Sequence, residues 1–90
     1  MTVTELERHF RAVANHRRLE MLQVLNRRGP LPLYQVAAAV HLSVKTTNKH
    51  LTQLLHTGFV SRTRQGLFVL YRLADEAKPL VTKLLRLILS

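Results

Sequence analysis

The chain reads as mainly α-helical with one small β-hairpin: five helices and a two-stranded hairpin in a single domain, residues 1–90. Three observations carry this. Apolar residues recur at 3.6-residue spacing over most of the length. That spacing gives way to alternation after Gly58, where two strands are expected on either side of Gln65-Gly66. Breaks at Gly29-Pro30, at His41-Leu42-Ser43 and at Gly58 divide the helical part into segments of ordinary length. Ninety residues give a core that is thin for its surface, so either the core is economical or a partner chain completes it.

Thr4-Glu5-Leu6-Glu7 has the spacing of a capping box, and a first helix is expected over 4–14 with Leu6, Phe10, Val13 and Ala14 on one face. Asn15 suits the cap of a second helix, 16–28, with Leu19, Leu22 and Leu25 inward and Met21 and Val24 beside them. Arg27 and Arg28 sit where the helix dipole favours cations, read as solvated more readily than as phosphate contacts, and Gly29 ends the helix. The prolines of Gly-Pro-Leu-Pro-Leu forbid helix there, which makes Leu31 a one-residue bridge or short strand. A third helix follows over 33–40, with Val36, Ala37 and Val40 inward and alanines that let another helix cross closely.

His41-Leu42-Ser43 is a tight turn into the stretch that the rest serves, from Ser43 to Gly58. Ser43 is an N-cap and Gly58 can take the left-handed conformation that ends a helix. Val44, Thr47, Leu51, Leu54 and Leu55 fall on one side, while Lys45, Thr46, Lys49, Gln53 and His56 fall on the other, with Asn48 on the flank. Helix, short turn, capped helix is the helix-turn-helix arrangement, and the hairpin after it is a wing. In that hairpin Val69, Tyr71 and Leu73 are expected on the core face, Phe68, Leu70 and Arg72 on the other, and Arg62 and Arg64 beside the tip. Asp75 can cap a last helix through residue 89, with Pro79 tolerated in its first turn. That helix is apolar nearly all round, so it needs a partner.

The charge is lopsided. The formal net charge is +9, and no carboxylate occurs between Met21 and Ala74, a segment that carries Arg27, Arg28, Lys45, Lys49, Arg62, Arg64 and Arg72. A central region of one sign suits a polyanion. Anionic membrane is the competing partner, but the central helix has no aromatic anchors on its apolar face, so no membrane contact is expected. No apolar run approaches the ~20 residues of a membrane span, and the opening residues do not form a secretory signal. With no cysteine in the chain, a cytoplasmic protein, held on the nucleoid through DNA, is expected.

The segments Asn-His-Arg-Arg-Leu-Glu-Met-Leu-Gln-Val-Leu (15–25), Lys49-His50-Leu51, Thr57-Gly58-Phe59-Val60 and Tyr71-Arg72-Leu73, in this order, resemble the ArsR family of winged helix-turn-helix repressors over about residues 5–89. The resemblance implies a recognition helix whose first half meets bases, here Lys45, Thr46, Asn48 and Lys49. It also implies homodimers through the first and last helices, here Leu6, Phe10 and Val13 with Leu80, Leu84, Leu85 and Ile88, which the apolar last helix asks for independently. Metal-sensing members commonly use a cysteine pair near the recognition segment or a His/Asp/Glu set on the last helix. This chain has no cysteine and no histidine after His56, so neither site can be built. Leu67 and Phe68 stand where family wings are often basic, and His41 replaces the usual glycine of the turn, so a positive φ is expected at His41.

His9, His16, His41, His50 and His56 include no i,i+3 or i,i+4 pair, so neither a metal nor a cofactor is expected, and His50 is read as bonded to nearby backbone. No acidic dyad, glycine-rich phosphate loop or serine-histidine-acid set supports catalysis, so the chain is not read as an enzyme. Two function classes remain. One is a sequence-specific DNA-binding regulator, a repressor acting as a dimer on a two-fold operator, with Gln53 a further DNA-binding residue and Arg62 and Arg64 on the phosphates. The other is a winged-helix protein-interaction module, or a DNA-binding protein without sequence preference. The acid-free centre favours the first. No small-molecule effector is legible.

Overall fold

Caps and proline breaks set the element boundaries. The computed structural model describes residues 2–89, with the backbone alone for 88 and 89. Its elements are α1 (Val3–Val13), α2 (His16–Arg28), β1 (Leu31–Pro32), α3 (Leu33–Val40), α4 (Val44–His56), β2 (Val60–Gln65), β3 (Phe68–Leu73) and α5 (Lys78–Leu89). Asn15 caps α2, its side chain accepting from the Arg18 N–H at 3.1 Å, and Gly29 ends it at φ 79°. α1 starts earlier than the Thr4–Glu7 box implies. Thr2 is the cap, accepting from the Glu5 N–H at 3.1 Å. The same Thr-x-x-Glu spacing occurs two residues upstream, and that earlier box leaves Thr4 and Glu7 inside the helix.

The sheet has three strands rather than two, in the order β1-β3-β2, all antiparallel. Leu31 lies opposite Tyr71 and is buried with it. Pro32, opposite Leu70, is tolerated because β1 is an edge strand, where a missing N–H costs no ladder bond. The hairpin turn is Gly66-Leu67, one residue later than expected, because Gln65 pairs with Phe68. Gly66 alone takes a positive φ there (64°), as the first central position of a type II′ turn requires.

One core joins the helices to the sheet. Met21, Leu22 and Leu25 of α2, Val36 and Val40 of α3, and Leu51 and Leu54 of α4 meet Phe59, Val60, Tyr71, Leu73 and, from α5, Val81. Leu19 is only half-buried, whereas Met21 beside it is fully enclosed. Val44 is exposed because it precedes the first turn that α4 lays on the core, and Val69 is exposed because the hairpin has by then left the body. Thr47 is fully buried, and its hydroxyl has no partner among the described residues. Asp75 does not cap α5. Its carboxylate is held by Arg72 at 2.9 Å, and a single turn closed by the Lys78 N–H on the Ala74 carbonyl precedes the helix. Pro79 has no N–H to continue the ladder back to Asp75, so α5 proper begins at Lys78. Thr82 donates to Asn26 at 3.1 Å and ties α5 to α2. Among the described residues no helix is long and apolar enough to cross a membrane.

Candidate nucleic-acid interface

The candidate surface is the outward side of α4. His41, at φ 57° and ψ 44°, turns the chain out of α3, and the His41 and Leu42 N–H groups satisfy the Ala38 and Ala37 carbonyls. Ser43 then starts α4: its Oγ accepts from the Thr46 N–H at 3.1 Å and donates to the Thr46 hydroxyl oxygen at 3.0 Å. Thr47, Leu51 and Leu54 anchor the inner side. Lys45, Thr46, Asn48, Lys49, Gln53 and His56 are all exposed on the rest. The Thr46 hydroxyl already accepts from Ser43, which leaves its own proton free to donate outward.

Two arginines of α2 tie the helices together: Arg18 reaches α4, and Arg17 reaches the end of α3. Arg18 donates from Nε to His50 Nδ1 at 3.2 Å and from Nη1 to the Ala12 carbonyl at 3.2 Å, linking α1, α2 and α4. Arg17 donates to the Val40 carbonyl at 3.0 Å and to Glu20 at 3.1 Å. Because an arginine Nε only donates, His50 Nδ1 must be the unprotonated nitrogen of a neutral ring. Burial, then Arg18, Arg17 and Lys49, lowers the His50 pKa from its usual 6.5. The expected backbone partner of His50 is therefore replaced by a side chain distant in sequence. Arg18 and Thr52 line the same shallow groove as Asn48, Lys49, Gln53 and His56, and neither was identified from the sequence. Thr52 has an ordinary helical position that periodicity alone places there. Arg18 is 32 residues from His50, and no local signal marks such a pairing.

The wing adds two cations. Arg62 lies opposite Tyr71 and Arg64 opposite Val69, so both project from the sheet face that is continuous with the core, on the side of the helices. Three of the five carboxylates are paired elsewhere: Glu7 with Arg11 at 3.5 Å, Glu20 with Arg17 and His16, Asp75 with Arg72. Among the described residues, Lys45, Lys49, Arg62 and Arg64 take part in no ion pair, and no cluster of three or more His, Asp and Glu side chains has metal-ligand geometry.

The residues expected at a dimer contact divide into two groups. Leu6, Phe10 and Leu80 are exposed, at 45%, 59% and 53%. Val13 and Leu85 pack against the protomer's own core, and Leu84 is half-buried. The side chain of Ile88 lies outside the described residues. Leu87, at 72% exposure, joins the exposed group without having been singled out from the sequence.

This architecture has known counterparts. A family model described as HVO_A0114 matches residues 13–73, the span from the end of α1 to the end of the wing. The chain belongs to the HVO_A0114 family. The arsenic resistance transcriptional regulator ArsR1 of Pseudomonas putida is 31% identical over 77 residues, which is 86% of this chain and 60% of that protein. The chain thus spans about 60% of the length of that relative. The homodimeric winged helix-turn-helix DNA-binding domain of Mb0332 from Mycobacterium bovis superposes with a TM-score of 0.85 at 28% identity, covering 94% of this chain and 79% of that one. The antimony-specific transcriptional repressor AntR superposes with a TM-score of 0.79 at 31% identity, covering 96% and 75%. The ArsR resemblance drawn from the residues is borne out, and this HVO_A0114-family chain is a winged helix-turn-helix protein of the ArsR kind.

Proposed function

We propose that the chain is a sequence-specific DNA-binding transcription regulator of the repressor type, acting as a homodimer on a two-fold operator in the cytoplasm. The observation that carries this reading is the outward side of α4, where Lys45 and Lys49 stand exposed without a carboxylate partner among the described residues. A cationic face with no internal counter-ion suits a polyanion. The relatives support the assignment: one is named a transcriptional regulator, another a transcriptional repressor, and a third a homodimeric DNA-binding domain.

Lys45, Thr46, Asn48 and Lys49 read bases from the first turns of α4, Asn48 pairing with adenine and the lysines reaching guanine acceptors or phosphate, while Gln53 meets the DNA from the third turn. Arg62 and Arg64 hold the phosphate backbone and carry no sequence information. The second protomer covers the exposed Leu6, Phe10 and Leu80, with the edges of Val13, Leu84 and Leu85 completing the contact. Footprinting on genomic fragments across a salt series tests the reading. A discrete protected site with two-fold symmetry is expected at physiological salt. Equal protection of all duplexes there reduces the protein to a non-specific DNA coat, and absence of binding even at low salt points to the protein-interaction module.

A further inference from the structure

The hairpin of β2 and β3 leaves the body of the domain soon after its root. Val60 and Leu73 are buried there, Tyr71 is the last buried side chain, and all of β2 from Arg62 to Gln65 is exposed. Four residues at about 3.3 Å each carry the apex roughly 13 Å beyond the core. That apex is uncharged. Gly66 brings no side chain, so Leu67, 93% exposed, leads, and Phe68, 58% exposed, stands directly behind it. Arg62 and Arg64 alternate along one face below this tip. The nearest acid in sequence, Asp75, is tied to Arg72 at the far end of the hairpin.

We propose that the wing apex is a wedge for duplex DNA: Leu67, backed by Phe68, enters the minor groove beside the α4 site and partly unstacks a base step there. This rests on the DNA-binding reading above. The minor groove, about 6 Å wide and about 7.5 Å deep, excludes a helix but admits one side chain on a two-residue turn, and the projection exceeds its depth. Inside the groove an apolar side chain meets sugars and base edges, while arginines on the flank follow the phosphates. Charge selects this occupant, because Arg62 and Arg64 have no carboxylate partner among the described residues and a polyanion is drawn to them.

The test uses the full chain, Leu67→Ser and Leu67→Lys. Duplexes recovered by selection from a randomised pool on the immobilised protein serve as probes. They carry 2-aminopurine at steps flanking the recognised sequence and a donor–acceptor pair at the ends. The wild-type protein is expected to raise the fluorescence at one flanking step on each side and to shorten the end-to-end distance, as a bend of about 20–90° does. Leu67→Ser should abolish both changes and weaken binding roughly tenfold while the circular dichroism stays unchanged, since an apical side chain supports nothing beneath it. Leu67→Lys should retain affinity through phosphate while losing the fluorescence change; retention of both overturns the wedge. A straight duplex with unperturbed stacking, bound equally by wild type and Leu67→Ser, overturns the wedge and leaves DNA binding standing. No binding to selected or random duplexes at low salt overturns both readings. Self-association that Leu67→Ser removes overturns the wedge in favour of a contact between copies.

Discussion

α4 and α5 are amphipathic helices of nearly equal length, 13 and 12 residues, and they leave opposite things exposed. α4 buries Thr47, Leu51 and Leu54 and shows water a polar, cationic side. α5 buries Val81, half-buries Leu84 and Leu85, and leaves Leu80 and Leu87 outside. The first helix is complete within its own protomer and lacks only counter-ions. The second leaves apolar side chains open to solvent within the protomer. What a helix leaves unsatisfied names the partner it fits: a polyanion for α4, a second protomer for α5.

The largest expected effect separates the two helices by stability alone. Leu51 is fully buried where α4 meets α2 and the sheet, so Leu51→Ala should cost about 2–5 kcal/mol of unfolding free energy in urea titration. Leu87→Ala should stay within about 0.5 kcal/mol when the protein is dilute enough to be monomeric. Equal losses would mean that α5 is already covered within the protomer.

Next comes assembly. Leu80→Glu with Leu87→Glu places charge where the protomer is open, so the fold should survive and sedimentation at micromolar concentration should show a monomer where the parent is a dimer. The choice of positions matters. Leu85 packs on the core of its own protomer, and a glutamate there confuses unfolding with dissociation. A parent that sediments as a monomer sinks the idea that α5 meets a second copy.

On α4 the expected effects are smaller and concern what is read. Asn48→Ala should weaken operator binding by about 1–3 kcal/mol and leave random DNA nearly unchanged, whereas Arg64→Ala should weaken both alike and lower the salt slope by about one. Gel shift over a salt series distinguishes them. Identical profiles for the two variants would mean that α4 holds DNA without reading it.

His50 gives a pH dependence to the tie between α2 and α4. The folded protein keeps its pKa below the ordinary 6.5, so the unfolded chain binds more protons as pH falls through 6.5. The stability that follows from holding the ring neutral, through its burial first and the Arg18 contact second, is therefore fully present above pH 6.5 and is lost as pH drops toward the folded value. His50→Gln keeps an acceptor for Arg18 and should flatten this part of the profile in denaturation curves taken on both sides of pH 6.5. An unchanged profile would transfer the effect to another histidine.

Much of α4 was legible because its determinants are local. Ser43 caps three residues ahead, Thr47, Leu51 and Leu54 repeat at helical spacing, and Gly58 follows the end. The parts that escaped depend on contacts between distant segments. The prolines mark Leu31 as a bridge or short strand, but nothing local says that its partner is Tyr71, forty residues on, or that Arg18 meets His50. Val69 follows the same alternation as Tyr71 and Leu73, yet it is exposed, because alternation fixes a face and not how far the body extends under it. The split of the dimer residues has the same origin: Leu80 and Leu85 look alike in sequence, and only packing shows which of them the protomer covers itself.

The smallest expected effect lies at the two ends of α4, where the backbone is left-handed on both sides: His41 at φ 57° before it and Gly58 at φ 82° after it. A side chain in this region carries a conformational cost of order 1 kcal/mol, and a glycine avoids it while losing about 0.4–1 kcal/mol through the greater freedom of its unfolded chain. His41 makes no side-chain hydrogen bond among the described residues and is exposed, so those two contributions nearly cancel. His41→Gly should therefore be neutral or slightly stabilising. At Gly58 a Cβ would meet nothing within 4 Å, so Gly58→Ala isolates backbone strain and should cost about 1 kcal/mol. Thermal melts of the two variants, run side by side, give the comparison. A clear loss for His41→Gly would show that the imidazole, not the backbone conformation, holds the entrance to α4.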